Sequence, residues 1–237
     1  MKQQILRTIY DIFDRWNIEP GVACRKGCSY CCTQNVTITA LEGESILRFI
    51  VATGMSGWLA EKLACPPSHQ PPKMTTNDFA SACLEGREVD PGDQQNLSIC
   101  PFLENNLCRI YAVRPFGCRL FISMRTCSAL HPAQISDEYF EAATAVSQLL
   151  EHLGQKEYWG NMLDVLPALL DIREFEEIAD RLNSTLSMQA RLQTLTARPL
   201  PGFLLSEEHV EKVAPLLQKI FDTEINGKRV EDVLNGQ

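Results

Sequence analysis

The run CRKGCSYCC places Cys24, Cys28, Cys31 and Cys32 within nine positions, four of the chain's ten cysteines. Thiols crowded that tightly share a metal, oxidise to disulfides or do redox chemistry, and each outcome demands a different fold around them. A second group, Cys100, Cys108 and Cys118, follows the spacing C-x7-C-x9-C in CPFLENNLCRIYAVRPFGCR. Zinc–sulfur bonds are about 2.3 Å long, and short spacings let one turn of backbone aim two sulfurs at one centre. Cys28 and Cys31 form such a chelate, and Cys24 can join it. Neighbouring side chains diverge from α-carbons only about 3.8 Å apart, so Cys31 and Cys32 are hard to use together. One of them serves a second centre, completes the first through an unusual backbone, or stays free; the sequence leaves this open. A turn at Asn105-Asn106 would bring Cys100 and Cys108 together, so the second group can supply ligands that the first lacks. The expectation is that Cys28, Cys31, Cys100 and Cys108 surround one point.

The compartment decides between metal and disulfide. With 237 residues and 45% apolar content, the chain makes one large domain or two small ones and needs no disulfide staples. The stretch MKQQILRTIYDIFDRW scatters charges through its apolar positions and does not read as a secretory signal. No stretch approaches eighteen apolar residues. A soluble cytoplasmic protein with no membrane partner is expected, and there clustered cysteines serve as metal ligands or redox groups.

A formal charge of −8 argues against nucleic acid as a partner, since phosphate binding needs a basic face. A local basic stretch exists nonetheless: Arg109, Arg114, Arg119 and Arg125 lie within residues 105–136, which contain no Asp or Glu. Four thiolates around Zn2+ or an oxidised four-iron cluster leave about two net negative charges, which guanidinium groups offset. Arg25, Arg109 and Arg119 each directly follow a cysteine and are the candidates to surround a cofactor. The plainer reading makes them solvated surface charges.

The periodicity predicts a fold that is mainly α, with a small β-hairpin, irregular cysteine-rich loops and an α-helical layer at the C-terminal end. Helices are expected over residues 3–17, ended by Pro20-Gly21, then 40–54 capped by Thr39 after a short strand at 36–38, then 56–64 and 77–85. Residues 65–76 and 87–96 read as Pro-, Gly- and polar-rich connections. The runs 99–103 and 107–111 flank the turn, with Pro101 confining the first to an edge or an extended segment. A helix from residue 137 would bury Phe140, Ala143, Val146, Leu149, Leu150 and Leu153, and further helices are expected at 156–171, 173–183, 186–195 and 206–222, the last capped by Ser206. Pro167 and Pro215 are places for kinks. The cysteines end at Cys127, which divides the chain into a cysteine-cluster metal-binding domain, 1–130, and a helical extension packing on it, 131–237.

Cys24-x3-Cys28-x2-Cys31-Cys32, a following helix with Leu41 and Glu42, then C-P-F-L, a short turn, C-x-I-Y, R-P and C-R together resemble the YkgJ-type cysteine-cluster proteins, described as a zinc- or iron-chelating domain. The likeness runs from Cys24 to Arg119. It implies metal binding through Cys24, Cys28, Cys31, Cys32, Cys100, Cys108 and Cys118. Cys65, Cys83 and Cys127 lie outside the pattern; Cys83 reads as a small buried residue and Cys127 as the best additional ligand. Of His69, His131, His152 and His209, only His131 is close enough in sequence to consider. Tyr111 and Phe116 are expected over the site, or else in the core.

Both zinc and iron–sulfur accept all-cysteine sites. Seven ordered cysteines exceed the four of one structural zinc, which favours an iron–sulfur cluster, [4Fe-4S], with Zn2+ as the alternative. C-x3-C-x2-C is also the spacing of radical S-adenosylmethionine enzymes, but their barrel needs regular strands that this chain lacks. No G-x-G-x-x-G, P-loop, H-E-x-x-H or G-x-S-x-G is present. Three functions are consistent with these residues: a structural or electron-carrying metal centre with an unidentified protein or small-molecule partner, an enzyme using the cluster or a free thiol in redox or macromolecule-modifying chemistry, and metal delivery or storage.

Overall fold

The computed structural model describes residues 1–16, 21–64, 70–90, 92 and 98–236. Pro20, Cys65, His69 and much of the two Pro-rich connections lie outside the described residues. The protein is mainly α with small antiparallel strand pairs. Helix α1, Lys2–Trp16, buries Ile5, Leu6, Ile9, Ile12 and Phe13 at helical spacing. Strand β1, Thr37–Thr39, runs directly into α2, Ala40–Ala52, and the Thr39 hydroxyl and the Glu42 carboxylate form a reciprocal capping box at the junction. Helices α3, Ser56–Ala64, and α4, Thr76–Leu84, follow, the latter capped by Thr75.

Strands β2, Leu103–Glu104, and β3, Leu107–Cys108, form the expected hairpin, with Leu103 opposite Cys108. Asn105 and Asn106 both have positive φ, 51° and 61°, the conformation of a tight two-residue hairpin turn that Asn tolerates well. After a 3₁₀ turn at Tyr111–Val113 comes the short helix α5, Phe116–Arg119. The long helix α6, Asp137–Leu153, is capped by Ser136. Its inward face starts at Tyr139 rather than Phe140, which is 62% exposed. Ring packing explains the choice, because Tyr139 packs at a tilt against Phe13 of α1, 5.7 Å between centroids.

Residues 156–171 are not one helix. Tyr158–Asn161 form β4, followed by α7, Met162–Ala168. Strand β4 pairs on one side with β1 and on the other with β5, Leu195–Thr196, giving the order β1-β4-β5. The aromatic pair Tyr158-Trp159 favours a pleated surface, and Asn161 caps α7 through Leu163 N–H. The expected helix at 173–183 is a 3₁₀ turn, Arg173–Phe175, leading into α8, Glu176–Ala179; the next, α9, spans Ser184–Gln193. Helix α10, Val210–Asp222, begins after His209, so Ser206 lies in the preceding turn and is not its cap. Pro215 is accommodated inside α10, and Pro167 inside α7 one residue before its end. Strands β6, Glu224–Ile225, and β7, Lys228–Arg229, lead into α11, Val230–Leu234.

Two apolar cores result. One gathers α1, α6, α10 and α11; the other gathers β1, α2, α3 and α7 with Phe102, Ile110, Phe175 and Ile178. Each fully buried aliphatic side chain here contributes roughly 2 kcal/mol. Cys100, Cys108 and Cys118 pack against the second core. No helix among the described residues is long and apolar enough to cross a membrane.

Candidate metal centre

The first cysteine loop is held by backbone bonds that the spacing creates. Cys28 N–H donates to Arg25 C=O at 2.9 Å and Cys32 N–H to Ser29 C=O at 3.0 Å, with Gly27 at φ +86° turning the chain. The loop is then fixed to the second group. Cys100 N–H donates to Cys32 C=O at 3.0 Å, Gln34 N–H to Ser98 C=O, and Ser29 Oγ bonds Asn106 at the hairpin tip. At the loop's other end, Ala23 N–H donates to Ser123 C=O at 2.8 Å.

Cys118 comes from α5, whose entry is fixed from below. Glu42 is buried and accepts from Phe116 N–H at 2.8 Å, Thr39 N–H at 2.8 Å and the Tyr10 hydroxyl. Burial and the neighbouring Glu42 charge push the Tyr10 phenol well above its ordinary value, so Tyr10 stays a donor. Gly117 allows α5 to press on β1: a Cβ there would stand 3.1 Å from Val36 Cγ1 and 3.3 Å from Thr37 O.

These constraints bring Cys24, Cys28, Cys31, Cys32, Cys100, Cys108 and Cys118 onto one cavity of about 360 Å³. All are free thiols; Cys24, Cys28 and Cys31 are exposed and the other four half-buried. Among the described residues, no three Cys, His, Asp or Glu side chains converge tightly enough to hold an ion as they stand. Cys28, Cys31, Cys100 and Cys108 thus share a cavity without closing on one point. Neutral thiols do not attract one another, and ligands that release protons on binding are drawn in as they bind.

The environment splits the vicinal pair chemically. The hydrogen bond between the two sulfurs raises the Cys31 thiol and lowers that of Cys32, making Cys32 the more acidic partner. Burial pushes Cys100 up to about 11, opposed by the nearby Phe102 N–H. Burial likewise raises Cys108, opposed by Ile110 N–H, and Cys24, opposed by Ser123 N–H. Burial also raises Cys118, reinforced by Cys100 and Cys108. Backbone N–H groups aimed at sulfur stabilise thiolates and are one of the levers that tune thiolate-bound centres.

The charges around the cavity fit an anionic occupant. Arg25, Lys26, Arg114 and Arg119 line it, with no Asp or Glu among the lining residues. Arg119 is tied to Arg114 C=O and Asp14 and lies over the Tyr10 ring. Arg109 points elsewhere, to Glu104 at 3.6 Å and the Met55 sulfur. Arg114, which the position after a cysteine does not single out, stacks on Tyr111 at 4.0 Å and carries a buried Nε without a hydrogen-bond partner. A guanidinium donor orphaned beside seven thiols is the observation that the donor set suits a thiolate-bound metal group. The R-P dipeptide in the basic stretch was the available sequence signal for Arg114.

Most other candidates fall away from the cavity. Phe116 is buried in the first core, while Tyr111 lines the cavity and is 63% exposed. Cys83 is exposed, not buried, because Ala80 and Ala82 take the inward positions of α4. His131 bonds Ser128, His152 bonds Leu234 C=O and Leu200 N–H, and His209 pairs with Glu141. Cys127 is half-buried and does not line the cavity wall. Compared with family models, curated proteins and solved structures, the chain matches none of them.

Proposed function

We propose that this is a metal-binding protein of the YkgJ-like kind, in which the cysteines of both groups hold an iron–sulfur cluster, [4Fe-4S], with Zn2+ as the alternative, in a structural or electron-carrying role. One observation carries the reading: two thiol groups separated by residues 33–99 line one cavity beside an unpartnered guanidinium nitrogen. Cys24, Cys28, Cys31, Cys32, Cys100, Cys108 and Cys118 would supply the sulfurs. Arg25, Arg114 and Arg119 would offset the negative charge of the loaded site, and Tyr111 would shield it. A bound cluster would supply one-electron transfer, and bound zinc would supply cross-linking of the two groups. The free thiols suit a reducing, cytoplasmic setting. The protein is expected to be isolated anaerobically with iron and acid-labile sulfide and a broad visible sulfide-to-iron absorption. A colourless protein with bound zinc would select the alternative, and absence of both metals would refute the reading.

A second reading, an enzyme using the centre or a free thiol, draws on the same cavity. About 360 Å³ is in the range of small-ligand pockets, and a cationic lining suits an anionic cosubstrate. A reducible cluster with an exchangeable ligand position would favour it, and an inert, fully coordinated zinc would exclude it.

A further inference from the structure

We propose that the mouth of the cysteine cavity docks a small acidic electron-carrier protein, which exchanges one electron with the metal centre there. This rests on the iron–sulfur reading above and adds to it a partner and the residues that meet it.

Charge is segregated along the chain. All 30 acidic residues lie outside residues 20–41 and 105–136, the segments that carry six of the seven cavity cysteines. Folding sharpens the contrast. Arg109 and Arg119 are paired with Glu104 and Asp14, which offset their charges. Arg25, Lys26 and Arg114 line the cavity, and among the described residues none of them has a carboxylate partner. Arg25 and Lys26 are exposed. A molecule of formal charge −8 repels an acidic partner over most of its surface, so a cationic mouth both attracts and orients it.

Exposed aromatic rings stand at the same mouth. Tyr111 and Phe121 line the cavity and are 63% and 46% exposed. Arg114 stacks on Tyr111 at 4.0 Å, so a cation and an aromatic face are presented together. Tyr30, 55% exposed, lies between Cys28 and Cys31, and the bond from Ser29 Oγ to Asn106 at 3.2 Å holds its segment beside the hairpin tip. Tyrosine and arginine are the residues in which protein interfaces are enriched, and large apolar rings left in water together mark a contact surface. A patch this small suits a transient electron-transfer encounter, below about 1,200 Å², rather than a permanent subunit contact. Cys24, Cys28 and Cys31 are exposed at this face, so a seated partner meets the metal-binding sulfurs directly. One electron then passes from the reduced carrier to the oxidised centre; the carrier is oxidised and the centre reduced, with no bond made and no proton moved.

The test is calorimetric titration of anaerobically purified, iron-loaded protein with two small acidic carriers, a plant-type ferredoxin and a flavodoxin. At least one should bind, and its affinity should fall about tenfold between about 20 and about 200 mM NaCl. Lys26→Glu should weaken that binding about tenfold and flatten its salt dependence. Tyr30→Ser should weaken it several-fold and leave the salt dependence as it is. Lys219→Glu, the same charge change on α10, should do neither. All three variants should keep the wild-type iron and sulfide content; if Lys26→Glu loses iron, Lys26→Gln and Tyr30→Ser decide. Iron-loaded protein that binds neither carrier, or whose Lys26 and Tyr30 variants bind as the wild type does, would overturn the docking while leaving the centre standing. Zinc in place of iron, or no metal, would overturn the electron-carrying reading and the docking with it.

Discussion

Glu42 is the residue on which the site's geometry depends most. It closes the cap of α2, accepts the first N–H of α5 and holds Tyr10, all while buried. Removing it would leave those donors unsatisfied inside the fold, so Glu42→Ala should cost about 3 kcal/mol in urea denaturation of the metal-free protein. Arg114 acts differently, as charge rather than scaffold. Arg114→Met should weaken metal retention against a competing chelator by about tenfold, with Arg114→Lys losing less and stability changing little. Cysteine spacing showed which sulfurs to look for, and the N-cap at Thr39 was legible from its neighbours. The rank of the arginines was not. Adjacency to a cysteine favoured Arg109, yet the salt partner Glu104 draws that side chain away. Burial of Cys83 and Phe140 was misread for a related reason: a helical period identifies a stripe, and only the partner helix decides which edge of the stripe is covered.

At the level of elements, the hairpin is the part that delivers Cys100 and Cys108. Asn105 and Asn106 are both left-handed there, which a β-branched residue resists. Asn105→Val should therefore cost about 1–2 kcal/mol and lower the metal content of the isolated protein, whereas Asn105→Gly should leave the metal content unchanged. This turn was readable because Asn-Asn between two short apolar runs has a local cause. Strands β4 and β5 were not readable, since a four-residue and a two-residue strand exist only because β1 lies alongside β4 and β4 alongside β5. Their pairing matters for the site: Met162 N–H donates to Val36 C=O, Asn161 holds Gln34 C=O, and Met162 lines the cavity floor. A helix through 156–171 would have left the segment after Cys32 without those partners.

For the whole molecule, the cavity holds five thiols, Cys24, Cys31, Cys100, Cys108 and Cys118, that folding favours in the protonated form and metal would ionise. The sign follows from burial. Cys100 is raised from 9.0 to about 11, and Cys108 and Cys118 are raised as well. The metal-free folded chain thus holds protons that the unfolded chain releases, so its stability is full below about pH 9 and falls as pH rises toward 11. Denaturation midpoints measured across that window should decline, and a flat profile would contradict the burial of these thiols. Loaded protein should behave in the opposite sense, losing metal as pH falls, because protons compete for sulfur. The helical class and the two thiol groups could be read from the chain, while their meeting place required the long-range pairing of residue 32 with residue 100.

Alkylation mapping tests the central claim most directly. Anaerobically purified protein is treated with iodoacetamide before and after metal removal by a chelator, and each cysteine is followed by mass spectrometry with Cys83 as the exposed reference. Cys24, Cys28 and Cys31 decide the matter, because they are exposed and burial alone does not protect them. A shared metal centre predicts that they react slowly at first and several-fold faster once the metal is gone, while the Cys83 rate stays the same. Rates that do not rise on metal removal would contradict it.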